Sequence, residues 1–139
     1  MAGADLRNVV AGRGGNAMSV IITIPYAIDR RLGQNGRLHW AKKHKLTKEA
    51  QETTRTAMLS TIYDTFPDAP WILDYEIGMP YRARQMDDDN AVGCLKALRD
   101  GIAEYTGVND KHMTSGTVTW VRDPRGVGYV TVTIRGADE

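Results

Sequence analysis

The chain has 139 residues, 18 basic and 17 acidic side chains, and a formal net charge of +1. Its length predicts one domain with a substantial apolar core, and the near-balance of charge excludes neither nucleic acid nor small molecules as partners. No apolar run reaches the roughly 20 residues needed to span a bilayer, so no membrane partner is expected.

Charge is unevenly distributed along the chain. The segment 30–48 carries seven Lys or Arg residues and two histidines without any acid, whereas three aspartates stand together at 87–89. This separation predicts a polyanionic ligand that binds to the basic segment and reacts at the acidic one.

The single cysteine and the first residues of the chain indicate the cellular compartment in which the protein is expected. Cys94 has no second cysteine to pair with, so we expect a reducing, cytoplasmic environment. Residues 1–17 are Gly-rich and aperiodic and lack the apolar core of a secretory signal. We therefore expect a flexible tail over 1–17, with Met18 as an alternative start, and a single domain over 18–139.

The first half of the domain predicts a strand, a loop and a helix. The β-branched run 20–26 is typical of a strand that ends at a proline. The basic segment that follows has no clear period and indicates a loop, which Trp40 is expected to pin to the core. Thr47 is a candidate cap for a helix that should end before the prolines of "FPDAP".

The second half predicts a strand, a second helix and a pair of strands. Apolar and polar side chains alternate over 71–79, which indicates a half-buried strand. A helix is expected from Asn90 to Tyr105, and "DPRG" at 123–126 suits a turn between two strands. The order predicts an α+β fold with a small mixed β-sheet, two main helices and a C-terminal β-hairpin.

The three aspartates call for an explanation beyond helix capping. A cap needs one side chain, and acids in a first turn contribute about 0.3–1 kcal/mol each. Three adjacent charges are better explained by a divalent cation that neutralises them, although capping remains the alternative. If the segment is still extended, Asp87 and Asp89 point to one side and Asp88 to the other. A calcium loop is excluded because its acids alternate and it needs a glycine at the sixth position.

The helix after the aspartates has two different faces. At 100° per residue one face is apolar, formed by Ala91, Leu95, Leu98, Ile102 and Tyr105. The opposite face carries Asp89, Gly93, Lys96 and Asp100. Because helical side chains lean toward the N-terminus, Lys96 could reach back over Gly93 toward Asp89. The alternative is a solvated lysine beside Asp100.

These motifs resemble a known family. "DDDN", a following helix with "KALRDGI", and then "GVNDKHM" resemble the RusA-type Holliday-junction resolvases. The similarity also includes four segments that precede the aspartates: "IITIPYA", the basic segment, "LTKEAQ" and "RAR", in this order along the chain. It covers residues 18–139. Two positions depart from the family pattern. Gly93 stands where the family has its lysine, with Lys96 one turn later, and Asn109 replaces the first acid of a later pair.

The resemblance implies a RusA-like fold and a homodimeric endonuclease that resolves four-way DNA junctions by symmetric nicking. The implied cofactor is Mg²⁺, with Mn²⁺ as an alternative, and the partner is branched DNA. The implied metal ligands, which are also catalytic, are Asp87, Asp89 and Asp110, and the implied catalytic cation is Lys96. The residues expected to bind DNA phosphates are Arg30, Arg31, Arg37, Lys42, Lys43, Lys45, Arg82 and Arg84.

A straight helix over 90–105 conflicts with this ligand set. Such a helix is about 24 Å long, and the five steps from Tyr105 to Asp110 span at most about 18 Å. Either the helix breaks early at Asp100–Gly101, or Asp110 serves a site shared across a dimer.

Two other classes of function stay open. A non-catalytic nucleic-acid-binding protein with structural acids would bind a junction without nicking it. A metal-dependent phosphohydrolase of a small substrate would need a phosphate-binding glycine loop, and the candidate at 12–16 lacks the strand and helix that such a loop requires.

Overall fold

The computed structural model describes residues 19–33, 38–60 and 65–137. The predicted tail, Met18 and Arg37 lie outside these residues. The strands and helices are β1 (Ser19–Ile24), α1 (Trp40–Leu59), β2 (Trp71–Met79), α2 (Asp88–Cys94), α3 (Lys96–Thr106), β3 (Met113–Arg122) and β4 (Tyr129–Gly136), with short 3₁₀ turns at Arg30–Leu32 and Asp110–His112.

The four strands form one mixed sheet in the order β1-β4-β2-β3. β4 pairs antiparallel with β1 and with β2, whereas β2 and β3 are parallel. The predicted α+β class with a small mixed sheet is therefore confirmed. Parallel neighbours need a long crossover, and α2 and α3 provide it between β2 and β3.

The C-terminal strands are joined by the predicted turn, with one correction to their pairing. The Gly126 amide donates to the Asp123 carbonyl at 2.9 Å, which closes the "DPRG" turn. β3 and β4 are consecutive and run in opposite directions, but β2 lies between them. The turn passes over the end of β2, where the Asp123 amide donates to the Met79 carbonyl at 3.0 Å.

The core lies between one face of the sheet and the helices. The alternating residues of β2 are buried as predicted, with Trp71, Leu73, Tyr75 and Ile77 at 2% exposure or less. On the helical side the buried side chains include Ala91, Leu95, Leu98 and Ile102. The predicted apolar face is confirmed at these four positions, but Tyr105, near the end of α3, is 40% exposed.

Two helix boundaries differ from the prediction. α1 begins at Trp40, because the His39 side chain accepts the Ala41 amide and caps the helix eight residues before Thr47 would do so. The predicted helix 90–105 is two helices, since Leu95 leaves the helical conformation (φ −97°, ψ 3°). Gly93, two residues earlier, has weak helix propensity and favours a break at this place. Within the described residues, no helix is long and apolar enough to cross a membrane.

Candidate functional site

The three aspartates stand at the beginning of α2. Asp87 is extended and is the N-cap, and its carboxylate accepts the Asn90 amide at 3.2 Å. Asp88 and Asp89 already belong to the helix and are exposed. The capping interpretation is thus confirmed for Asp87. The expectation of an extended segment through Asp89, with alternating directions, is wrong because the helix starts at Asp88.

Lys96 begins α3 and contacts two carboxylates. Its ammonium lies 3.1 and 3.2 Å from the two oxygens of Asp100 and 3.7 Å from an oxygen of Asp110. The first contact is the predicted neighbour one turn along the helix, whereas the second joins residues 14 positions apart. The Lys96 side chain remains 65% exposed, so it is accessible to a ligand.

The path of the chain after α3 brings Asp110 to Lys96. The helix does break early, which was one of the two alternatives, but at Leu95 and not at Asp100–Gly101. Gly101 is inside α3 at a close approach to α1, where an added Cβ would lie 3.0 Å from the Thr54 Cβ. α3 ends at Thr106, and Gly107 in the left-handed conformation (φ 79°) turns the chain back. Asp110 reaches Lys96 within one chain.

Two residues hold Asp110 in place, and the sequence singled out only one of them, Asn109. The Arg99 guanidinium donates to the Asp110 carbonyl at 3.0 Å. Asn109, which stands where the resemblance expects an acid, caps the next 3₁₀ turn by accepting the Lys111 amide at 3.0 Å. An Asn before a short turn is a local capping signal that could have been read from the sequence. The Arg99 contact depends on tertiary structure and carried no such signal.

The predicted metal ligands do not form a ready-made cluster. In the part of the chain that the structure describes, no three His, Cys, Asp or Glu side chains are grouped so that they could hold a metal ion. α2 has seven residues and is about 10 Å long, so its first turn and the Lys96–Asp110 pair lie at opposite ends of it. Mg²⁺ commonly binds through one or two carboxylates together with substrate phosphates and water. Asp87 and Asp89 provide carboxylates of that kind.

The seven predicted DNA-binding residues that the structure describes fall into three groups. Arg30, Arg82 and Arg84 line a cavity of about 310 Å³ together with Ile28, Ala83 and Met86. Arg31 instead forms a two-pronged ion pair with Asp29, at 2.9 and 3.0 Å. That hydrogen bond lowers the pKa of the Asp29 carboxyl. Three lysines are exposed on the first turns of α1, not in a loop: Lys42, Lys43 and Lys45.

Trp40 is not a core residue. Its side chain is 75% exposed and stacks on His39 with ring centroids 5.9 Å apart. The expectation that Trp40 pins the loop to the core is wrong, because the residue is in the first turn of α1 and its side chain is mostly exposed.

The comparisons with known proteins found no family model that matches the chain. A protein of Xylella fastidiosa (strain Temecula1 / ATCC 700964), named "Uncharacterized protein", is 31% identical to it over 123 residues. The aligned region covers 83% of this chain and 75% of that protein.

Proposed function

The chain belongs to the same family as this Xylella fastidiosa protein, and we propose that it is a magnesium-dependent endonuclease that resolves four-way DNA junctions. The observation that carries the proposal is the contact of Lys96 with Asp110, 3.7 Å apart, at the end of the helix that begins with the aspartates. Their order along the chain is that of the RusA-type resolvases. The proposal includes a homodimer, because symmetric nicking of two strands needs two sites.

The metal has a defined place in this proposal. When bound, Mg²⁺ supplies an activated water and stabilises the charge that develops on the phosphate. Asp87 and Asp89 would hold it. Asp87 can do so while remaining the cap of α2, since its amide contact uses one carboxylate oxygen and leaves the other available.

Lys96 is suited to the phosphate rather than to the metal. Its ammonium has three N–H donors and is shared by Asp100 and Asp110 in the free protein. A phosphate oxygen that approaches the exposed end of Lys96 competes with these carboxylates for the donors. Negative charge grows on the phosphate oxygens in the transition state, so the lysine contributes more to turnover than to binding.

The basic groups support a nucleic-acid substrate over a small one. Exposed lysines at the start of α1 and arginines ahead of Asp87 supply cations on two separate elements. A polyanion with phosphates at several places can contact both, whereas a small phosphate ester cannot.

A non-catalytic DNA-binding protein is the second candidate. It is favoured by the lack of a three-acid metal cluster among the described residues. Such a protein would use the same cations and would retain the aspartates as helix-capping and first-turn residues.

The experiment that separates the two candidates uses an end-labelled four-way junction with Mg²⁺, Mn²⁺, Ca²⁺ or EDTA. We expect paired nicks with Mg²⁺ or Mn²⁺ and binding without nicks in EDTA. Asp68→Asn, at an exposed acid outside the site, is the matched control for Asp89→Asn. Retarded junction with no nicks under any metal would leave the binding protein as the function. Light scattering on the same samples tests the dimer.

A further inference from the structure

The cavity ahead of Asp87 concentrates positive charge without a counter-charge. Three of its six lining residues are arginines, and none of the six is acidic. Arg30, Arg82 and Arg84 form no ion pair with any described residue, since the nearby Asp29 is taken by Arg31. Arginine side chains that line one cavity without a counter-charge repel one another, and an anion bound between them would remove that repulsion.

The wall of this cavity is held in a strained conformation. Arg82 has φ 66°, the left-handed region that side-chain-bearing residues rarely adopt. Arg122 of β3 fixes the turn by donating to the Pro80 carbonyl at 2.6 Å and the Ala83 carbonyl at 3.1 Å. The Tyr81 amide also donates to the Gly126 carbonyl at 3.1 Å. Strained residues that neighbouring contacts hold in place are concentrated at functional sites.

The opposite wall is tied to the same turn. The Arg30 guanidinium donates to the Arg84 carbonyl at 3.2 Å, which links the first 3₁₀ turn to the segment before α2. The 3₁₀ turn also packs tightly on α2, because a Cβ at Gly33 would lie 2.7 Å from the Asn90 side chain and 2.9 Å from the Cys94 sulfur. The residues that line the cavity are therefore held in place from both sides by hydrogen bonds and packing.

We propose that this arginine-lined cavity is a phosphate-binding site. Planar guanidinium groups match phosphate oxygens in pairs, and the apolar lining residues Ile28 and Met86 strengthen such charged contacts. Met86 is directly followed by Asp87, and the three steps from Arg84 to Asp87 span at most about 11 Å. The phosphate is that of a phosphodiester next to the one cut, which sets the direction of the bound strand. The assignment of the phosphate to a DNA strand rests on the proposed function, whereas the binding of a phosphate by these arginines does not.

The test measures phosphate binding without the metal. Amide NMR shifts are followed while inorganic phosphate replaces chloride at constant ionic strength in EDTA. We expect saturable shifts at 82–84. Arg82→Gly removes the guanidinium while keeping a residue that tolerates the positive φ, and Arg84→Ala leaves the carbonyl that Arg30 contacts. Each should weaken phosphate binding roughly tenfold or more. Arg55→Ala, at an exposed arginine of α1 outside the cavity, should change it less than about twofold.

A second arm identifies the source of the phosphate. A 5′-phosphorylated dinucleotide and its unphosphorylated form are compared in EDTA, and single-turnover junction cleavage is then measured for the same variants with Mg²⁺. Preference for the phosphorylated dinucleotide and a raised protein requirement for cleavage support the DNA strand as the source. If phosphate binding depends on Arg82 but the protein cuts no junction, the cavity binds a free phosphorylated ligand. In that case the proposed endonuclease function fails and the phosphate-binding site stands. Absence of saturable phosphate binding, or an unaltered affinity in Arg82→Gly, overturns the cavity even if junctions are cut.

Discussion

Asp123 and the aspartates of the candidate site use the same side chain in opposite ways. Asp123 is 1% exposed, and its carboxylate accepts the amides of Arg125 and Gly128 at 3.0 and 2.8 Å and pairs with the Arg125 guanidinium. The Gly128 amide contributes most to lowering the pKa of Asp123 to about 2. All of these contacts are local to the turn that joins β3 and β4.

The aspartates at 87–89 and Asp110 keep unused acceptors. Asp88 and Asp89 are exposed, Asp87 accepts one amide, and Asp110 shares an exposed lysine. An aspartate whose oxygens are all satisfied by its own turn stabilises the fold, whereas one with free, exposed oxygens can bind an ion or a substrate. The comparison therefore separates a structural carboxylate from candidate functional ones, and the following substitutions test that separation.

The largest effect is expected from Asp87→Asn and Asp89→Asn. Each should reduce single-turnover junction cleavage by on the order of 10³-fold while junction affinity stays equal or rises, because the repulsion of phosphate falls. Asn is as good an N-cap as Asp, so Asp87→Asn should leave the melting temperature almost unchanged. Cleavage at the wild-type rate in either variant would show that the substituted aspartate is structural, like Asp123.

Lys96→Ala should have the next largest effect. We expect turnover to fall on the order of 10²-fold with little change in junction affinity, because the ammonium stabilises charge that grows in the transition state. Lys111→Ala removes an exposed lysine beside Asp110 and is the matched control. Lys96→Arg should restore part of the rate. Equal losses in both alanine variants would show that Lys96 acts only through general surface charge.

Asp123→Ala should lower stability rather than activity. It leaves the Gly128 and Arg125 amides without their acceptor, and we expect a fall in Tm of on the order of 5–10 °C by circular dichroism. Cleavage per folded molecule at low temperature should stay near that of the wild type. Asp68→Ala, at an exposed acid, is the control and should shift Tm by less than about 2 °C.

Comparing the wild type with Asp123→Ala also predicts how the stability contributed by Asp123 depends on pH. The pKa of Asp123 is about 2 in the folded chain and 3.8 ordinarily, so its charged form favours folding. That contribution is fully present above the ordinary pKa and is lost as the pH falls from 3.8 through about 2. The Tm difference between wild type and Asp123→Ala should therefore be constant from pH 5 to 7 and shrink toward pH 2. A difference that does not shrink would contradict the charged role of Asp123.

The smallest effect is expected from Asp88→Asn, with less than about a threefold change in cleavage. This expectation rests on the resemblance to the RusA-type resolvases, whose pattern is Asp-x-Asp-Asn with a variable residue at the position of Asp88. The extended geometry expected for this segment is not observed, because the helix starts at Asp88. A loss as large as that of Asp89→Asn would place Asp88 among the metal ligands.

Features set by neighbouring residues were determined by the sequence alone. The alternation of β2, the "DPRG" turn and the apolar face at Ala91, Leu95, Leu98 and Ile102 were predicted and are confirmed, because period and turn chemistry act over a few residues. Three adjacent aspartates ahead of a helix are unusual for the same local reason, because an N-cap needs only one side chain.

Only the tertiary structure decided which distant groups meet. β2 inserts between β3 and β4 because both of its edges are available for pairing, and no local pattern specifies which strand takes which edge. The break at Leu95 and the return of the chain at Gly107 bring Asp110 to Lys96, and packing of the first 3₁₀ turn on α2 brings Arg30 to Arg84. These contacts join residues 14 and 54 positions apart, and closing such loops depends on the summed packing of the whole core rather than on any short stretch of sequence.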